Sequence, residues 1–239
     1  MAGDEGRSAG GDYMLGHGAG DEAPLEAPCG DEASLQQIGA HLERHVGPVE
    51  RVFHERLSDI VHVDVLHVGP AEGHPFHTLV TSGMSDRAMS PPAGAEALAY
   101  TELAVLLPAT WQVSEAAFND EAWYWPVRQL KILARLPHKF QSWLWWGHTV
   151  PHGDPPEPFA ATTELCCSML ISPVSLPDEL DTLWLEDGRE VTFFSLFPLY
   201  REEMEYKLAH GAEALLERVV QAGLDDVVDP RRPNVCLQA

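Results

Sequence analysis

Histidine, carboxylate and hydroxyl residues recur in this chain at spacings that invite a chemical reading. His62, Asp64 and His67 stand close together in IVHVDVLHV, and imidazole beside carboxylate at short spacing can gather zinc. On a regular strand side chains alternate, so His62 and Asp64 point together while His67 points to the opposite face; only a bulge would make them converge. His41 and His45 lie four apart on a helical pattern, the ligand spacing of zinc metalloproteases. That motif needs its acid directly after the first histidine, whereas Glu43 sits between the two. They read as two exposed helical histidines. His148 and His152 repeat the spacing, but Pro151 forbids a continuous helix through both.

The nucleophile candidates assemble no better. Ser82 and Ser85 in TSGMSD lack the GxSxG elbow, and Cys166 and Cys167 lie in an apolar, strand-like run where a thiolate is disfavoured. Cys29, Cys166, Cys167 and Cys236 show no CxxC spacing and read as free buried thiols. There is neither a GxGxxG fingerprint nor a phosphate loop, so no cofactor is expected. Glu202, Glu203 and Glu205 form a charge run at the start of the last helical segment, where carboxylates favour the positive helix end.

The elements that must position these residues follow from periodicity. Ser34 is placed to cap a helix to about Val46, with Leu35, Ile38, Leu42 and Val46 at helical spacing and Gly47-Pro48 as the stop. Strands are expected over Val49 to Leu57, Ile60 to Val68, Phe76 to Ser82 and Ala99 to Leu107, the first two as an antiparallel pair. Pro126 opens a helix through Arg135 with Val127, Leu130, Leu133 and Ala134 on one face, and Pro137 begins the next segment. That segment, LPHKFQSWLWWGHTVP, holds three of the seven tryptophans; Trp143, Trp145 and Trp146 cannot share one face, so it reads as a junction tying the helix to the sheet. Leu165 to Ser172 reads as a buried strand. Thr182 to Glu186, the Asp187-Gly188 turn and Glu190 to Phe197 read as a hairpin. A last helix runs from Leu199 to Ala222, with Met204, Leu208, Leu215 and Val219 apolar and Gly211 as a bend.

The order of elements predicts an α+β fold, a single domain with a mixed, largely antiparallel sheet flanked by helices. A Gly/Ala-rich acidic head over residues 1–32 is expected to be disordered, ahead of a domain over 33–232 and a tail over 233–239. Net charge is -22; up to Glu32 eight acids face Arg7 alone, which leaves -15 for the rest, so the folded part is itself acidic. Such a field repels nucleic-acid phosphate and anionic lipid, and it suits a basic protein partner. With no apolar run of membrane-spanning length and no signal segment, a cytoplasmic location is expected.

Three stretches, TLVTSGMSDRAM (Thr78 to Met89), WLWWGHTVP (Trp143 to Pro151) and EVTFFSLFPLYREEMEYKLAHGAEALLERV (Glu190 to Val219), together resemble the Suppressor-of-fused domain in its short, bacterial form. VHVDVLHVGP, ELAVLLPATW and PVRQLKILARLP fit the order of that family, so the resemblance spans about Ser34 to Arg232. It implies a fold like the N-terminal domain of that family and a non-enzymatic protein-binding domain. For bacterial members it implies an immunity protein that neutralises a polymorphic toxin, here a basic one. The alternatives are a regulatory or scaffold module that binds a peptide by β-strand addition, and a metal-dependent hydrolase using the unassembled histidines. By position, the hairpin resembles the strand region that receives peptide in animal relatives, which makes Trp184, Glu186 and Glu190 the expected partner-binding residues.

Overall fold

The computed structural model describes residues 30–237 apart from 56, 57 and 59, together with a two-residue backbone ladder of Gly6–Arg7 against Tyr13–Met14. Apart from that ladder, the expected disordered head up to residue 29, with Cys29, lies outside the described residues.

Helix α1 spans Glu32–His45, and its cap is Asp31 rather than Ser34. The extended backbone at Asp31 lets its carboxylate accept from both Ala33 N (3.0 Å) and Ser34 Oγ (2.8 Å), which takes up an orphan donor of the first turn. Strands β1 (Val49–Phe53), β2 (Asp64–Val68), β3 (Phe76–Ser82) and β4 (Thr101–Pro108) form an antiparallel meander. Helix α2 (Glu121–Phe140) follows, then β5 (Thr149–Pro151), β6 (Cys167–Ile171), β7 (Thr182–Trp184), the ten-residue β8 (Glu190–Leu199), α3 (Arg201–His210) and α4 (Ala212–Gln221). The sheet order is β1-β2-β3-β4-β8-β6-β5, with β7 also on β8. Among the described pairs only β4 with β8 is parallel, so the sheet is mixed and largely antiparallel, as the sequence predicts.

The central strands are buried on both faces. Val65, Leu79, Leu103 and Val105 meet Leu130, Leu133 and Ala134 of α2, whereas Leu66, Val80, Ala104 and Leu106 meet Ile38 and Leu42 of α1. Alternate residues of one strand thus feed two layers, which makes these strands continuous apolar runs. A third cluster joins Cys167, Met169 and Phe197 to Leu215 and Val219 of α4. Among the described residues no helix is long and apolar enough to cross a membrane.

Two helix boundaries differ from expectation. Helix α2 begins at Glu121, capped by Asp120, and runs through both Pro126 and Pro137 before closing at left-handed Gln141 (φ 49°). Each proline removes one helical donor, yet the buried face of Val127, Leu130, Leu133 and Ala134 holds the helix together, so packing outweighs local propensity. The last helix is broken at Gly211 (φ 92°) rather than bent, and the buried side chains of α3 are Glu203 and Lys207, with Met204 and Leu208 only half-buried.

The tryptophan run is the junction it was expected to be. Trp145 packs edge-on against Phe194 of β8 (4.9 Å), Trp143 against His148 (4.8 Å), and Trp146 touches both the α2-side and the α4-side clusters. Gly147 N then donates to Leu170 O of β6 at 2.7 Å, which fixes the end of the run to the sheet.

Candidate partner-binding edge

The antiparallel pair of β7 and β8 sets Thr182 opposite Thr192, Leu183 opposite Val191 and Trp184 opposite Glu190. Phe193 N donates to Asp181 O (2.9 Å) and Leu185 N to Arg189 O (2.9 Å). Residues opposite one another alternate between bonded and non-bonded pairs. The odd-numbered residues of β7 therefore bond inward to β8, and the main-chain N–H and C=O of Thr182 and Trp184 point outward. Thr192 N, the mirror position on β8, donates away from β7 to Tyr100 O, as this alternation requires. β7 has no ladder partner on its outer side among the described strands.

The next outward donor, Glu186 N, is taken by Gln37 Oε1 of α1 at 2.8 Å. The open edge is thus two residues long and ends at a side-chain amide that stands where a partner strand would continue. Leu183 and Leu185 turn toward the α1-side core, while Trp184, 65% exposed, and Glu190 share the solvent face across a non-bonded pair. Of the three residues expected from the sequence, the structure brings Trp184 and Glu190 together. It sets Glu186 apart, in the turn beyond the strand, with an exposed side chain.

Arg189 holds this hairpin in place. Its guanidinium donates to Asp187 Oδ2 (2.6 Å), Ser85 O (2.7 Å), Ser34 Oγ (2.8 Å) and Asp31 Oδ2 (3.1 Å), tying the turn to the α1 cap and the TSGMSD loop. The hydrogen bond from Arg189 holds the Asp187 carboxyl below its ordinary range. Gln37, Thr182 and Arg189 carry no signal in the sequence: the first is a polar residue of an amphipathic helix, and the roles of all three rest on pairings between distant segments.

The residues first considered for chemistry have structural partners. His62 Nε2 and His54 Nδ1 each lie 2.9 Å from Asp64, one on either oxygen, and Glu55 N donates to Asp64 as well. Ser58 Oγ lies 3.1 Å from His62 Nδ1, but it donates its proton to Glu55 Oε2 at 2.6 Å, which directs it away from the imidazole. As the strand alternation predicts, His67 faces elsewhere, and its Nε2 shares a hydrogen bond of 2.9 Å with His77 Nδ1. His41 is a correction. It is buried rather than exposed, because it shares the inward face of α1 with Ile38 and Leu42, stacks on Phe193 and bonds Leu180 O. His148 lies against Trp143, and His152 accompanies Arg128 (3.1 Å). No group of three or more His, Cys, Asp or Glu among the described residues could hold a metal ion.

TSGMSD proves to be a cradle. Glu102, fully buried, accepts from Thr81 Oγ1, Gly83 N, Ser85 N and Ser85 Oγ, at 2.5 to 2.9 Å. Burial raises its carboxyl above the ordinary range against the pull of those bonds. Gly83 sits at φ 125°, where a Cβ would lie 1.8 Å from His62 O, so only glycine fits the turn. Ser85 is therefore a ligand of a buried acid. Cys166 and Cys167 are buried free thiols as expected, with burial raising both, whereas Cys236 is only half-buried. Glu203 is also reassigned: it is completely buried against Arg232 rather than serving only the helix end.

The sequence matches the profile of the family described as Suppressor of fused protein (SUFU) over residues 59–233. No curated protein sequence matches it. The fold is similar to a SUFU homolog from Neisseria gonorrhoeae, at 19% identity and a TM-score of 0.66, covering 87% of this chain and all of that one. It is similar to a chain of the Sufu-Fu complex (14% identity, TM-score 0.58, 88% of this chain and 93% of that one). It is also similar to Drosophila Suppressor of Fused (14% identity, TM-score 0.59, 89% of this chain), of which it spans 52%.

Proposed function

The chain belongs to the Suppressor of fused protein family, and on that premise we propose that it is a non-catalytic regulatory or scaffold module that captures an extended segment of another protein by β-strand addition. The observation that carries this reading is the outer edge of β7, where Thr182 and Trp184 offer main-chain groups to solvent beside an exposed tryptophan. Strand addition takes affinity from such main-chain bonds and selectivity from the alternate side chains. Here those side chains are Trp184 and Glu190, with Glu186 at the end of the edge. A similar fold occurs in the Sufu-Fu complex, which supports a protein as the partner. An immunity protein that binds a toxin is a narrower form of the same reading, favoured by the net charge of -22, which suits a basic target.

A photoreactive residue at position 184, activated in the native cell, should cross-link one partner. Thr182→Pro should abolish the product. Proline there removes an outward N–H at the first residue of the strand. Because it also disfavours the helical backbone of Asp181 (φ -56°, ψ -26°), whose carbonyl accepts from Phe193 N, the variant is compared with wild type only after its melting curve shows the same folded state. Cross-linking unchanged in Thr182→Pro, or no adduct from position 184 while a position on another face gives one, would overturn the assignment.

A further inference from the structure

The strand that this edge accepts can be specified further, on the premise that strand addition is its function. Between Ser172 and Thr192 the chain carries Asp178, Glu179, Asp181, Glu186, Asp187 and Glu190 against a single basic residue, Arg189. Arg189 is not available to a ligand, because Asp187, Asp31, Ser34 and Ser85 O already take its guanidinium. Around the open edge, therefore, the field is negative, because the single cation of the hairpin, Arg189, faces six acids and is already paired with Asp187 and Asp31. The Trp184 ring stands in that field with its cross-strand neighbour Glu190 on the same face, and Val174 in the loop leading to β7 is also exposed, at 69%.

We propose that the outer edge of β7 takes a short extended segment with lysine or arginine at alternate positions. On a strand paired to β7, alternate side chains fall on the Trp184 face. One cation then lies over the indole while remaining within reach of the Glu190 carboxylate, which combines a cation–π contact with an ion pair. The next cation on that face meets Glu186 at the turn, the Asp187 carboxylate being already held by Arg189. The residues between them face the opposite side, beside Leu183, and favour β-branched apolar side chains. Gln37, bonded to Glu186 N, limits the added ladder to the outward groups of Thr182 and Trp184, so the segment is short. An acidic segment would meet like charge at each of these positions.

The probe is a capped peptide, Thr-Val-Lys-Val-Lys-Val-Thr, titrated into the full chain at low salt and followed by calorimetry. The comparison peptides carry glutamine or glutamate at the two lysine positions, and two more keep the lysines but have N-methyl groups on one or the other alternate set of amides. The lysine peptide should bind roughly tenfold more tightly than the glutamine peptide. That advantage should shrink in half-molar salt and in Glu190→Gln. Equal binding of the lysine and glutamine peptides overturns the cationic specificity while leaving strand addition intact. Binding that survives both N-methylation patterns, or that persists in Thr182→Pro, overturns strand addition itself, as does failure of every peptide to bind.

Discussion

Glu203 and Arg232 are the perturbation from which most can be calculated. The carboxylate is 0% and the guanidinium 4% exposed, and they meet in a fork, Nη1 to Oε1 at 2.7 Å and Nη2 to Oε2 at 2.5 Å. The arginine also donates to Pro198 O and stacks between Phe197 and Tyr200, each 5.1 Å away. The glutamate also accepts from Tyr200 N and Val235 N, so the pair clamps the segment after α4 onto the start of α3. Removing one partner strands a charge with no water to receive it, which costs about 3–5 kcal/mol. Arg232→Met and Glu203→Leu should each lose that much. Arg232→Met with Glu203→Leu strands no charge but leaves the Tyr200 and Val235 amides and the Pro198 carbonyl without their side-chain partner, at about 1 kcal/mol or somewhat more each. The double variant should thus lose about 3–4 kcal/mol, well short of the sum of the singles. Urea unfolding of the four proteins, compared through midpoint and slope, measures the coupling. Singles within about 0.5 kcal/mol of wild type, the range of ordinary surface substitutions, or a double equal to the sum, would refute the buried pair.

Acid should loosen the domain through two histidines. Burial, aided by the nearby charges of His77 and Arg51, holds His67 at about 4, and burial holds His138 at about 4 where it bonds Met84 O. A folded value below the unfolded 6.5 means that stability is full above about pH 6.5 and falls as pH drops toward 4, by up to roughly 3 kcal/mol per histidine. His138→Gln should flatten part of the fall in a melting series from pH 7.5 to 4.5, and a slope identical to wild type would count against the assignment. Gly83→Ala, which sets a Cβ against His62 O and strains the Glu102 cradle, should lower stability by several kcal/mol, on the order of 3 or more. A melting temperature equal to that of wild type would show that the turn can relax.

The sequence by itself determined the element order, the α+β class and the apolar faces, because these rest on local periodicity. Val127, Leu130, Leu133 and Ala134 at helical spacing, and Phe76 to Ser82 as a strand, carry their burial in their own pattern. It also separated His62 and Asp64 from His67, since alternation along one strand is a local property. The ordered set of TSGMSD, WLWWGHTVP and the β8–α3 run carried the family. What required the tertiary structure is every feature made by segments far apart in the chain. Pro137 stays helical because the face around it is buried, and His41 turns inward because α1 lies on β8 and the turn before β7. Glu203 becomes half of a buried pair only when residue 232 returns to α3. The candidate edge divides the same way. Trp184, Glu186 and Glu190 could be named only through the family resemblance of the hairpin, and the outward direction of the Thr182 and Trp184 main chain, with its end at Gln37, depends on the register of β7 against β8 and on where α1 packs. Register and packing are set by the whole core at once, and no single stretch of sequence encodes them.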